Sequence, residues 1–64
     1  MPVITIQGPA GISKEVKKEL IEKVSQTAAD IYNMPINTIN VLIMENEADN
    51  VGVGGKQLSE INNS

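Results

Sequence analysis

Few residues in this chain can do chemistry, and one of them stands at its start. The sequence has no His, no Cys and no Arg, so its five cationic side chains are all Lys. Without His, the serines at 13, 25, 59 and 64 lack an activating base, which excludes triad chemistry in its common form. Without Cys or His, an ordinary zinc site lacks its usual ligands. Glu45, Glu47 and Asp49 cluster, but their spacing lacks the glycine and terminal Glu of a calcium loop. "GVGG" followed by Lys56 invites a phosphate-loop reading. It fails, because Asn50 and Gln57 stand where that loop needs Gly and Ser or Thr. The glycines are read as a structural turn.

What remains is Pro2. Methionine before a small residue such as proline is normally removed after translation. Pro2 would then carry a secondary amine rather than an amide. An α-amino group titrates near ~8, closer to neutrality than any Lys. Neighbouring Ile, Val and Met side chains would lower that value by desolvating the cation. A neutral amine with a pKa near the working pH is a competent general base. The competing explanation is structural: proline is tolerated at the first residue of a strand, where a ladder donor is dispensable. The two readings are compatible. If Met1 is retained, Pro2 is an amide and cannot act as a base.

The elements that must position Pro2 are readable from pattern. "PVITIQ" (residues 2–7) is β-branched and alternates, with Ile4 and Ile6 on one face and Val3, Thr5 and Gln7 on the other. "GPAGI" is a loop. Ser13 then occupies an N-cap position, with Glu15 in the first turn. From Lys14 the period becomes helical. Val16, Leu20, Val24, Ala28 and Ile31 form one apolar stripe, widened by Ile21 and Thr27. Lys14, Lys18, Glu22 and Gln26 face the other way, and Glu19 and Lys23 form a favourable pair four apart. The helix is expected to stop near Asn33, because Pro35 disfavours helical geometry at Met34. "TINVLIME" (residues 38–45) is the second strand, with Ile39, Val41 and Ile43 on one face. A helix of this length between two strands predicts a parallel pair with a right-handed crossover. A polar acidic loop over residues 46–50, a glycine hairpin and a polar, frayed "INNS" tail complete the chain.

Length and composition bound the class. The chain has 64 residues and a net charge of −3. It reads as one domain, residues 1–64. A domain this small buries about 60% of its unfolded surface and is marginal alone. With no disulfide or metal to staple it, oligomerisation is the expected remedy. The acidic balance argues against a nucleic-acid partner. No segment is long and apolar enough to span a membrane, and no signal peptide leads the chain. The expectation is a soluble cytoplasmic protein.

Taken together, "MPVITIQG", a Ser opening a helix with "KKELIEKVS", then "MPINTINVLIMEN" and "VGVGG", resemble the 4-oxalocrotonate tautomerase family. The likeness covers nearly the whole chain, from Pro2 to about Ser59. It implies an α+β protomer of β-α-β form with a C-terminal hairpin, assembled as dimers and then as a hexamer, a trimer of dimers. It implies enol–keto tautomerisation of small 2-oxo acids, with the amino-terminal proline, here Pro2, carrying the proton and no metal or organic cofactor required. The family's archetype binds substrate carboxylates through arginines. The matching positions here are Ile12, Asn40 and Asn62, and Val51 replaces an aromatic residue before the glycine turn. Asn40 can still donate a neutral hydrogen bond; Ile12, Met44 and Val51 supply an apolar wall. Lys56, or a backbone amide near the glycine turn, is the candidate substitute for the missing cation. The rival reading is a non-catalytic subunit or interaction module that keeps the fold. A third keeps Pro2 but uses it as an acid, for hydration or dehalogenation.

Overall fold

The computed structural model describes residues 1–62. Strand β1 runs Val3–Pro9 and strand β2 runs Asn40–Asn46. They pair in parallel, with Val3 opposite Asn40 and Pro9 opposite Asn46. Helix α1, Lys14–Tyr32, makes the crossover. A 3₁₀ turn at Ile36–Thr38 leads into β2, and another at Ala48–Asn50 follows it. Strands β3 (Gly52–Val53) and β4 (Lys56–Gln57) form a small antiparallel hairpin, and helix α2 (Leu58–Asn62) comes last.

The ends of α1 are set by local chemistry. Ser13 is extended (φ −66°, ψ 156°), and its hydroxyl accepts the Val16 N–H at 3.2 Å. That satisfies one of the donors a helix start leaves unpaired. Asn33 adopts the left-handed conformation (φ 56°, ψ 48°), and the Met34 N–H donates to the Ala29 carbonyl at 3.0 Å. Asparagine tolerates that region better than most residues, so it ends the helix before Pro35. On the exposed face, Lys23 pairs with Glu19 at 2.7 Å and Gln26 donates to Asp30 at 2.8 Å.

β1 and β2 alternate as expected. Ile4, Ile6, Val41 and Ile43 turn toward α1 and are half-buried. Val3, Thr5, Gln7, Leu42 and Met44 turn away and are exposed. The helix meets the sheet through small residues. Ser25 and Ala29 are its buried positions, with Val24 and Ala28 beside them. Ile39 is the other buried apolar residue among those described. The expected stripe is therefore corrected over most of its length: Val16, Leu20, Ile21, Thr27 and Ile31 are exposed, and Val24 and Ala28 alone of its members are half-buried. The chain is extended, 45 × 24 × 13 Å, with a radius of gyration of 15.1 Å. A closed domain of this length would have about 10.7 Å.

Other boundaries also move. β1 continues through Gly8 and Pro9, which pattern assigned to a loop. β2 starts at Asn40, because Thr38 is held in a turn, its hydroxyl donating to the Pro35 carbonyl at 2.7 Å. Residues 48–50 form a 3₁₀ turn rather than open loop, and Ile61 and Asn62 close α2 rather than fray. Asn63, Ser64 and the side chain of Asn62 lie outside the described residues.

Candidate active site

Pro2 lies one residue before β1 and is half-exposed. Its carbonyl accepts the Asn40 N–H at 3.0 Å. That bond extends the parallel ladder by one residue, so the strand-starter role is real, and it seats Pro2 beside Asn40. The Asn40 side chain lies on the exposed side of β2. Two of the four candidate site residues therefore share one end of the strand pair.

The other two lie at the opposite end. Ile12 sits in the β1–α1 loop and is 39% exposed. Val51 precedes β3 and is half-buried, its carbonyl accepting the Leu58 N–H at 2.7 Å. β1 alone separates the two ends by about 20 Å at ordinary strand rise. Met44 is opposite Gln7, toward the second end. A single chain thus gathers Pro2 with Asn40 but holds Ile12, Met44 and Val51 apart from them. Lys56 pairs with Val53 in the hairpin and is exposed.

The second end is the shaped one. An open cleft of about 910 Å³ lies there, lined by residues 7–10, 46–48 and 50–52 and by Leu58. Its walls are tied together. The Ala10 N–H donates to the Asn46 carbonyl at 3.2 Å, and the next amide, Gly11, donates to the Glu45 carboxylate at 3.1 Å. Gly11 has φ +88°, which its lack of a Cβ permits. Lys17 from α1 bonds the other Glu45 oxygen. The Lys17 hydrogen bond holds the Glu45 carboxyl below its usual range, with the Gly11 amide adding to the effect and desolvation opposing it. Gln57 donates to the Asp49 carbonyl at 2.9 Å and braces the hairpin. The turn that closes the hairpin uses Gly54 (φ +60°) and Gly55 (φ +83°), as a structural turn requires. Among the described residues no group of His, Cys, Asp or Glu is arranged to hold a metal ion, and no helix is long and apolar enough to cross a membrane.

Two features of this end of the strand pair escaped pattern reading. One is the Lys17–Glu45 tie, which joins positions 28 residues apart. The other is a pair of side-chain amides, Gln7 and Asn46, whose nitrogen and oxygen lie 3.4 Å apart across the strands. Both depend on strand register, and only the in–out alternation of each strand hinted that Gln7 and Asn46 share a face.

A parallel β-α-β unit with a short glycine hairpin, begun by a half-exposed proline, defines a class of small tautomerase-like protomer. The model of the family described as "Tautomerase enzyme" matches residues 2–61, and the chain belongs to that family. It is 33% identical over 60 residues to a probable tautomerase of Halalkalibacterium halodurans, covering 94% of this chain and 98% of that one. It is 32% identical over 62 residues to the 2-hydroxymuconate tautomerase of Pseudomonas putida, covering 97% and 98%. Among solved structures, it is similar to a heterohexamer 4-oxalocrotonate tautomerase from Chloroflexus aurantiacus J-10-fl, with 30% identity, a TM-score of 0.88, and coverage of 95% of this chain and 98% of that one.

Proposed function

We propose that this chain is a cytoplasmic enol–keto tautomerase acting on a small 2-oxo acid or its enol, with Pro2 as the proton carrier once Met1 is removed. The observation that carries this reading is Pro2 itself: half-exposed, seated against Asn40, and the first residue of the family match. In the enol, the neutral Pro2 nitrogen takes the 2-hydroxyl proton as the carbon–oxygen bond becomes a carbonyl. The resulting prolinium returns a proton to carbon 3. Protons balance, and no metal or organic cofactor enters. The Asn40 amide donates to the oxygen whose charge changes, as a neutral substitute for a guanidinium.

The site is completed between copies. Both edges of a two-stranded sheet are open to further pairing. If two β1 edges pair antiparallel about a twofold axis, Pro2 of one chain approaches the Pro9 end of the other. Pro2 and Asn40 from one copy then meet the cleft wall carrying Val51 from the next, with Ile12 and Met44 at its margins. A homo-oligomer, a hexamer built as a trimer of dimers, is the assembly this reading adopts, in keeping with the heterohexamer relative.

The absence of Arg supports a second reading, a non-catalytic subunit that keeps the fold. One experiment separates the two. Processed protein, protein that retains Met1, and processed Pro2→Ala are compared in ketonisation of phenylenolpyruvate. The first is expected to be active, with kcat/KM rising with pH through a pKa below ~8 as the amine loses its proton. The Met1-retaining form is expected to lose about 10²–10⁴-fold, and Pro2→Ala to be impaired but measurable. Equal rates in processed and unprocessed protein would refute the role of Pro2 and leave the non-catalytic subunit as the reading.

A further inference from the structure

The cleft that this reading joins to the neighbouring copy's Pro2 carries no cation. Four of the five lysines lie on α1, and the fifth, Lys56, lies in the hairpin outside the cleft lining. Lys17 is already neutralised by Glu45, and Lys23 by Glu19. The single charged side chain among the lining residues is Glu47. An anion entering here therefore meets one negative charge and no positive one.

The cleft does hold amide donors. Gln7 lies opposite Met44 and Asn46 lies opposite Pro9, so the two amides are diagonal neighbours on the sheet face turned away from α1. Asn46 Nδ2 donates to Gln7 Oε1 at 3.4 Å. That is longer than the usual ~2.7–3.2 Å for N–H···O, so the bond is weak and easily exchanged for a better acceptor. It occupies one donor and one acceptor. Both Gln7 N–H groups and the second Asn46 N–H stay available at the cleft surface. Strand β2 and the Ala10-to-Asn46 backbone bond fix the main chain of this corner, so both side chains spring from set positions.

We infer that Gln7 and Asn46 form a neutral oxyanion anchor that binds the single carboxylate of a monoacid substrate, while Glu47 rejects a second carboxylate. The substrate class is then a 2-oxo monoacid, or its enol, with an uncharged tail that lies against Pro9 and Val51. Neutral amides satisfy one carboxylate by hydrogen bonds but supply no charge to offset two. Glu47, exposed at the cleft wall, adds like-charge repulsion toward a second carboxylate.

The test measures binding, so it is independent of proton transfer. Two inert mimics serve as probes, cinnamate for the monoacid and trans,trans-muconate for the diacid, titrated into processed, ¹⁵N-labelled protein. The side-chain amide signals of Gln7 and Asn46 are expected to shift on adding cinnamate. Asn46→Ala and the shape-preserving Gln7→Glu are each expected to weaken cinnamate about tenfold or more. Glu47→Gln is expected to improve muconate relative to cinnamate by about tenfold. Unshifted side-chain amides, unchanged cinnamate affinity in both variants, or tighter muconate binding by the unaltered protein would overturn the anchor. Failure of the Pro2 reading shows elsewhere, as equal turnover with and without Met1, and leaves these binding results standing.

Discussion

The two ends of the parallel strand pair differ in kind. At the first, a proline is seated by one backbone hydrogen bond, and Asn40 stands beside it with its side chain free to solvent. At the second, consecutive amides of Ala10 and Gly11 are bonded to β2, Lys17 and Glu45 bridge helix to strand, and a cleft opens under the hairpin. On the proposed reading, one end offers the proton carrier without a pocket, and the other a pocket without a proton carrier. The difference suggests division of labour between copies. Each chain would give its first end to one site and its second end to another.

The most decisive way to break that comparison is to disable the ends on separate chains. A Met1-retaining chain lacks the free amine, and Val51→Asp puts a charge on the cleft wall. Each alone is expected to lose about 10²-fold or more in ketonisation. Unfolding and refolding the two together is expected to recover activity well above either parent, because some sites then combine an intact first end with an intact second. Activity of the refolded mixture no greater than the parents' average would mean that both ends serve one site in one chain.

A smaller effect concerns the brace at the second end. Glu45 has its carboxyl pKa lowered by Lys17, so its contribution to stability is present above the unfolded carboxylate value of about 4.3 and is lost as pH falls through the folded value. Glu45→Gln keeps an acceptor for the Gly11 amide but gives up the charge. The denaturation midpoint of the unaltered protein is expected to exceed that of Glu45→Gln at pH 7, and the gap to close in acid. Lys17 is the charged group facing Glu45 from α1, while β1 presents Gly8 opposite it, so the pH dependence is expected to disappear in Lys17→Met as well. A gap independent of pH would assign the brace to packing instead of charge. Smaller still is the helix start, remote from both ends of the comparison. Ser13→Ala removes the acceptor for the Val16 N–H and is expected to cost about 1 kcal/mol. Substrate binding by the assembled protein should not change.

The features legible in the amino-acid sequence are those the chain encodes locally. Ser13 and Asn33 mark the helix because capping is decided by one side chain and its nearest amides. The in–out alternation of β1 and β2 follows from period alone. The misreadings have a common cause in neighbours distant in sequence. Pro9 looks like a loop residue, yet an edge strand tolerates a missing N–H, and β1 is an edge. The apolar stripe on α1 ranked residues by hydrophobicity, whereas packing against β2 and the turn before it left the small ones, Ser25 and Ala29, buried. The Gln7–Asn46 pair could not be found without strand register. Pro2 was legible as a candidate, since a free amino-terminal amine titrates closer to neutrality than any Lys or carboxylate. Its distance from Val51 was not, because residue types alone carry no information about which end of a strand each occupies.

The thin, open shape of the protomer has a consequence for how the protein exists in a cell. A radius of gyration of 15.1 Å and a buried interior of little more than Ala29, Ile39 and Ser25 leave a lone chain with almost nothing to hold it closed. If copies complete one another, folding becomes a reaction whose order in protein exceeds one, and stability depends on how many chains are present. Abundance would then act as a threshold. Below it, newly made chains stay open to proteases faster than they find partners; above it, they protect one another. Tautomerase capacity would respond to expression more steeply than in simple proportion, falling away sharply when synthesis slows.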